Sequence, residues 1–140
     1  MNDHLIVRVV VKLLVPFVLL FAIYVQMHGD FGPGGGFQAG VIFATGFIVY
    51  GLVFGIVRLM RAVPLRLLLF GISGGLLLYA GVGIASMLAG GTFLDYSALD
   101  GHDPVHGQHL GIILIELGVG ITVASVMTAI FITFAERWHR

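Results

Sequence analysis

Four long apolar runs, at approximately 5–27, 37–57, 67–89 and 110–134, take up most of this 140-residue chain. Each is about as long as the 20 residues an α-helix needs to cross the hydrocarbon core of a bilayer. The breaks between them are a glycine-rich turn, the basic stretch Arg58-Leu59-Met60-Arg61-Ala62-Val63-Pro64-Leu65-Arg66, and a polar loop from Gly90 to His109. None of these is long enough to form a soluble domain. Only 10% of the residues are charged and 59% are hydrophobic, against roughly 25% charged in a soluble domain. Such a chain cannot cover a globule with polar side chains. The expected fold class is therefore all-α, an integral membrane four-helix protein forming a single membrane domain over residues 1–140, with the lipid bilayer as solvent.

Charge sets the expected orientation. All seven Lys and Arg residues lie at the start of the first run (Arg8, Lys12), between the second and third (Arg58, Arg61, Arg66), or at the C-terminus (Arg137, Arg140). The other two breaks hold Asp30, Asp95, Asp100 and Asp103 instead. With four crossings the basic regions share one side, and the positive-inside rule makes that side, with both termini, cytoplasmic. Arg8 and Lys12 ahead of an apolar run also mimic a secretory signal. No small-x-small cleavage site follows at Gln26-Met27-His28-Gly29, so the run reads as a retained span. Pro16 is expected to kink it. Lys12 reads either as an anchor snorkelling to the headgroups or as a buried partner for an acid.

Helices in lipid associate through close contacts at small residues. Glycines four apart occur at Gly36 and Gly40, Gly51 and Gly55, Gly71 and Gly75, and Gly107 and Gly111, while Gly120, Ala124 and Thr128 form a small stripe in the fourth run. Four helices cannot use every such face among themselves, so some are expected to meet other subunits.

Glu116 is the one acid well inside a run. Counted from Leu110, it lies roughly 9 Å below the outer boundary. A charge at that depth is costly and usually faces a protein interior or a water-filled path. His109 precedes it by two turns on the same face, so the pair is a candidate proton relay through an intervening water. Glu116, His109 and Lys12 are the ion-path candidates. The alternative is a neutral Glu hydrogen-bonded to a neighbouring helix as part of the packing.

The loop DGHDPVHGQH gathers His102, His106 and His109 with Asp100 and Asp103, residue types that ligate zinc. Their spacing matches no standard site. The local reading is that Asp103 caps a helix whose first residue is Pro104. Cysteine is absent, which removes thiolate ligands and nucleophiles, and no Ser/His/Asp arrangement falls within reach of one face. No metal, cofactor, enzymatic activity or nucleic-acid partner is expected.

HGDFGPGGGFQAG, residues 28–40, lacks the Lys-Ser/Thr of a phosphate-binding loop and the preceding strand of a dinucleotide fingerprint. Pro33 should stop the first helix, and the glycines admit close approach by another backbone. His28, Gly29, Pro33, Gly34, Gly35, Gly36, Phe37, Gln38 and Gly40 make up this loop and helix-packing motif.

HGDFGPGGGFQAGVIFATGFIVYGL resembles the hallmark of the MnhB/MrpB family, small membrane subunits of the Mrp-type multisubunit sodium/proton antiporters. GIILIELGVGITVASVMTAIF is similar to that family's second block, including the position of Glu116. The resemblance runs from the first apolar run to the end of the fourth, and the length suits a free-standing member of the family. It implies a non-catalytic integral membrane subunit of a large hetero-oligomer in a bacterial or archaeal cell membrane, exchanging cytoplasmic sodium for external protons. The implied partners are the other subunits of the antiporter complex, the lipid bilayer, and the transported sodium and protons. The implied role is support of assembly and the lining of part of an ion path. Two alternatives stay open: a structural scaffold with no ion contact, and a self-contained homo-oligomeric channel. For a channel, the second and third runs offer only Thr45, Ser73, Tyr79 and Ser86 as polar lining.

Overall fold

A computed structural model describes residues 3–29 and 34–138 of the chain. The elements, in order, are α1 Asp3–Met27, α2 Gly36–Phe54, α3 Ile56–Ala62, α4 Leu65–Leu88, a 3-10 turn at Tyr96–Leu99, and α5 Pro104–Trp138. Of these, α1, α2, α4 and α5 are long and apolar enough to cross a membrane. The described residues contain no strand, and the all-α expectation with four spans holds. Helices suit this solvent because each satisfies its own backbone hydrogen bonds, which lipid cannot do. Large apolar side chains are exposed along almost the whole of α1, from Leu5 to Met27.

Three helix boundaries have local causes. The second helix stops at Phe54, short of residue 57, because Gly55 takes φ 94° and ψ 151°, a conformation nearly closed to residues with a Cβ. The chain restarts as α3, so much of the basic stretch is helical, and fully buried Leu59 anchors it. Pro64 then leads into α4. The fourth span starts well before residue 110, at Pro104. There Asp103 Oδ1 accepts from the N–H groups of Val105 (3.0 Å) and His106 (3.3 Å), as expected of a cap. Pro16 lies within α1, which runs unbroken past it.

Across the layer the order is α1–α2–α5–α4, with α5 packed between α2 and α4 and with α1 on the far side of α2. Glycine sets the closest of these contacts. A Cβ built on Gly36 would stand 3.0 Å from the Cα of Glu116, and one on Gly40 would stand 2.7 Å from the carbonyl oxygen of Gly120. Further along, Gly51 faces Phe131, so α2 and α5 run parallel. Gly71 and Gly75 admit Ser125 and Thr122 of α5 in the same way, and Gly107 and Gly111 admit Tyr96. The spaced pairs are thus used mainly inside the chain. Gly55 departs from its pair by ending α2. The glycines left open within helices are Gly74 and Gly81, where an added Cβ would meet nothing within 4 Å.

The helices are staggered. Gly118 of α5 lies against Tyr79 of α4, which puts Glu116 at about that level. From Tyr79, α4 continues to Leu88, about 13 Å at 1.5 Å per residue. In contrast, α1 ends at Met27 and α2 begins at Gly36, both level with Glu116. At the opposite end a compact core of Leu59, Val63, Leu68 and Ile132 ties α3, α4 and α5 together, with Phe47, Tyr50 and Phe131 packed on it.

Candidate functional site: the glycine loop over Glu116

The loop is tied to the last turn of α1. The N–H groups of His28 (3.2 Å) and Gly35 (3.4 Å) both donate to the carbonyl of Val25. His28 is exposed, and its ring stacks on Tyr24 with centroids 5.3 Å apart. Pro33 and Asp30 lie outside the described residues.

Both described ends of the loop close on one side chain of α5. A Cβ on Gly29 would stand 2.6 Å from Cδ of Glu116, and one on Gly35 would stand 3.1 Å from its Oε1. Gly36 meets the Glu116 backbone itself, leaving no room for a side chain between α2 and α5. The half-buried Glu116 borders a crevice of about 370 Å³ whose other walls include Gly34, Gly35, Gly36, Phe37, Gln38, Ile115 and Val119. Glu116 is therefore grouped with Gly29 and with the start of α2.

The other two ion-path candidates lie elsewhere. His109 is exposed on α5, about 10 Å from Glu116 along the helix axis. Lys12 is exposed on α1, about 25 Å along that helix from Gly29. Lys12 and Glu116 thus occupy opposite ends of the layer.

Gln26 was not singled out from the sequence. Its Oε1 reaches Gly120, where a Cβ would stand 2.5 Å away, one turn along α5 from Glu116. The available signal was a lone amide in the last turn of an apolar run. Gln26 and Ser125 are polar members of a second, larger cavity of about 680 Å³, an open groove bordered by all four spans and otherwise walled by residues such as Phe43, Phe47, Leu68 and Ile121.

Two of the four hydroxyls that could line a pore, Thr45 and Ser86, are occupied locally. Thr45 Oγ1 and Ser86 Oγ donate to the carbonyls of Val41 (2.9 Å) and Val82 (3.0 Å) in their own helices. Ser86 is fully buried.

In the loop before α5, Asp100 Oδ1 accepts from the N–H groups of His102 (3.0 Å) and Asp103 (3.3 Å), and Oδ2 meets His106 Nδ1 at 3.0 Å. These contacts, the His102 N–H foremost, hold the Asp100 carboxyl below its ordinary range. Burial, and secondarily the neighbouring Tyr79, push the Tyr96 phenol up. Among the described residues, no group of three or more His, Asp or Glu is placed to hold a metal ion.

Residues 6–129 match a family described as "Domain related to MnhB subunit of Na+/H+ antiporter". A protein of Staphylococcus haemolyticus named as a candidate antiporter subunit, mnhB2, is 32% identical over 136 residues, covering 96% of this chain and 96% of its own. The same-named protein of Staphylococcus aureus strain Newman is also 32% identical with the same coverage.

Proposed function

The chain belongs to the family of MnhB-related subunits of Na+/H+ antiporters, and on that premise we propose that it is a non-catalytic subunit whose Glu116 contacts the ion path. It is a multi-pass bacterial membrane protein, a component of a transporter with other subunits as its partners. The observation that carries the ion role is the closure of Gly29 and Gly35 around one carboxyl, with Gly36 against the backbone of the same residue. An acid is costly within an apolar layer and is kept there for ion or proton traffic more often than for packing. His109 is the next titratable group along α5 and supplies the outer step. Lys12 stays near the basic end, with both termini cytoplasmic. The lipid-facing apolar surface and the groove between α1 and α4 serve assembly with the other subunits, and the complex exchanges sodium for protons.

The test is Glu116→Gln in the assembled antiporter, reconstituted in vesicles and assayed for sodium-driven proton movement. Assembly should persist and exchange should fall at least severalfold. Unchanged exchange would discard the ion role and leave a scaffold. A scaffold is supported by the backbone-level contact of Gly36 and Gly40 with α5, and Gly36→Leu should then abolish assembly.

A further inference from the structure

Serine and threonine hydroxyls inside a helix often donate to the carbonyl one turn back. Along α5, Thr122, Thr128 and Thr133 do so, to Gly118 (2.8 Å), Ala124 (2.7 Å) and Ala129 (2.8 Å). Ser125 is the exception. It is only 8% exposed, and among the described residues its hydroxyl has no hydrogen-bond partner. Its Oγ takes the space a Cβ on Gly71 of α4 would fill, and both residues border the groove of about 680 Å³. A second polar group lies in the same groove. Gln26 of α1 sets its Oε1 over Gly120 and likewise has no hydrogen-bond partner among the described residues. Gly120 and Ser125 are separated by about 7.5 Å along α5. An otherwise apolar trough thus holds two unanswered polar side chains at two depths.

Lipid chains could fill the trough, but they have no atom to offer a hydroxyl or an amide, and a polar group left unmet in hydrocarbon is costly. A helix can offer one. Helices in lipid pair through small residues and through Ser, Thr, Asn or Gln side chains that bond across the contact. The walls suit that approach. Gly71 and Gly75 are taken up by α5, whereas Gly74, which also borders the groove, would meet nothing within 4 Å if given a Cβ. A second copy of this chain answers the groove poorly, because α1, its least buried span, has no hydrogen-bonding side chain between Lys12 and Tyr24.

We propose that the groove between α1 and α4 seats one spanning helix of another antiporter subunit, and that this helix brings an acceptor to Ser125 and a hydrogen-bonding group to Gln26. Residues four apart on the incoming helix share a face and stand about 6 Å apart along it, and the flexible Gln26 side chain makes up the difference. The assignment rests on the chain's place in a multisubunit antiporter and not on any ion contact of Glu116.

Site-specific photocrosslinking in the assembled antiporter tests it. Phe70 on the α4 rim and Ile23 on the α1 rim are both exposed and both border the groove. Each is replaced in turn by p-benzoylphenylalanine, and the adducts are identified by mass spectrometry. Both positions should join to the same helix of one other subunit. Adducts with lipid alone, or with a second copy of this chain, would overturn the proposal. Gly74→Leu places a side chain in the groove, where a Cβ has open space, and should cut recovery of that subunit with this one severalfold. Ser125→Ala removes a hydroxyl that has no partner within the described chain. The chain's own unfolding midpoint should therefore hold, while recovery of the subunit falls about threefold, the scale of one hydrogen bond between helices in lipid. Full recovery with Ser125→Ala would overturn the proposal even if Gly74→Leu failed to insert. A wild-type chain that recovers no other antiporter subunit would remove the premise itself, whereas normal recovery with lipid adducts alone would remove the docked helix and leave that premise standing.

Discussion

Gly36→Ala is the smallest change that should separate α2 from α5. The added Cβ would overlap the carbonyl oxygen of Glu116 and stand 2.8 Å from its carbonyl carbon and 3.0 Å from its Cα. Ordinary contact between carbon atoms lies at about 3.5–4.0 Å, so α2 must retreat by about 0.7 Å or more. The obstacle is backbone, and no rotamer change relieves it. Overpacking of this kind costs about 1–3 kcal/mol. Gly74→Ala is the matched control. Gly74 lies within α4, where an added Cβ meets nothing within 4 Å, and replacing a helical Gly by Ala stabilises by about 0.5–1 kcal/mol. The chain has no cysteine, so dyes on single cysteines introduced in α2 and α5 can report their separation by energy transfer during denaturant titration. Gly36→Ala should lower the unfolding midpoint and Gly74→Ala should hold or raise it. Equal shifts for the two, or a neutral Gly36→Ala, would refute the close α2–α5 contact on which the site depends.

Gly55→Ala should cost about 1–3 kcal/mol through backbone strain alone, since the position has positive φ and open space around it; the same titration reads it. Asp103→Ala should remove about 1 kcal/mol of cap from α5, seen as faster hydrogen exchange at Val105 and His106 with no change at the glycine loop. Asp100 has a depressed folded pKa, so its contribution is present above the unfolded value and lost as pH falls through the folded one. Exchange in the loop before α5 should therefore rise on acidification below the ordinary carboxylate range, and Asp100→Asn should abolish that rise.

The spans were legible because lipid imposes one rule, that apolar length must be helical, and four runs obeyed it. The start of α5 was also legible, since Asp103-Pro104 carries its own cap chemistry. What period and composition could not reveal was the partner of each small residue. Gly36 and Gly40 look like any spaced pair until α5 is placed beside them, and Gly55 looks like a member of such a pair although its backbone ends the helix. Glu116 stood out as an acid among apolar residues, but helical spacing related it only to residues of its own helix, such as His109. Its contact with Gly29 and Gly35 joins α1, α2 and α5 across more than eighty residues of chain, a relation outside the reach of periodicity. Gln26 went unnoticed for the same reason.

The stagger of the helices explains why depth counted along one helix misjudges this site. Counted from Leu110, Glu116 is buried by roughly 9 Å; counted from the ends of α1 and α2, it lies at their very edge. The two counts are reconciled by the extra length of α4 and α5 on that side. Ile84, Met87 and Leu88 of α4 lie in that projecting part, and Leu88 is 85% exposed. Large apolar side chains clustered there require lipid or a neighbouring protein around them. Whatever covers them rises beside the crevice, so Gly34, Gly35 and Gly36 form its floor and the projecting turns of α5 one wall. A bulky side chain at Gly29 or Gly35 would therefore be doubly damaging, since it would fill the recess and displace the Glu116 carboxyl from it.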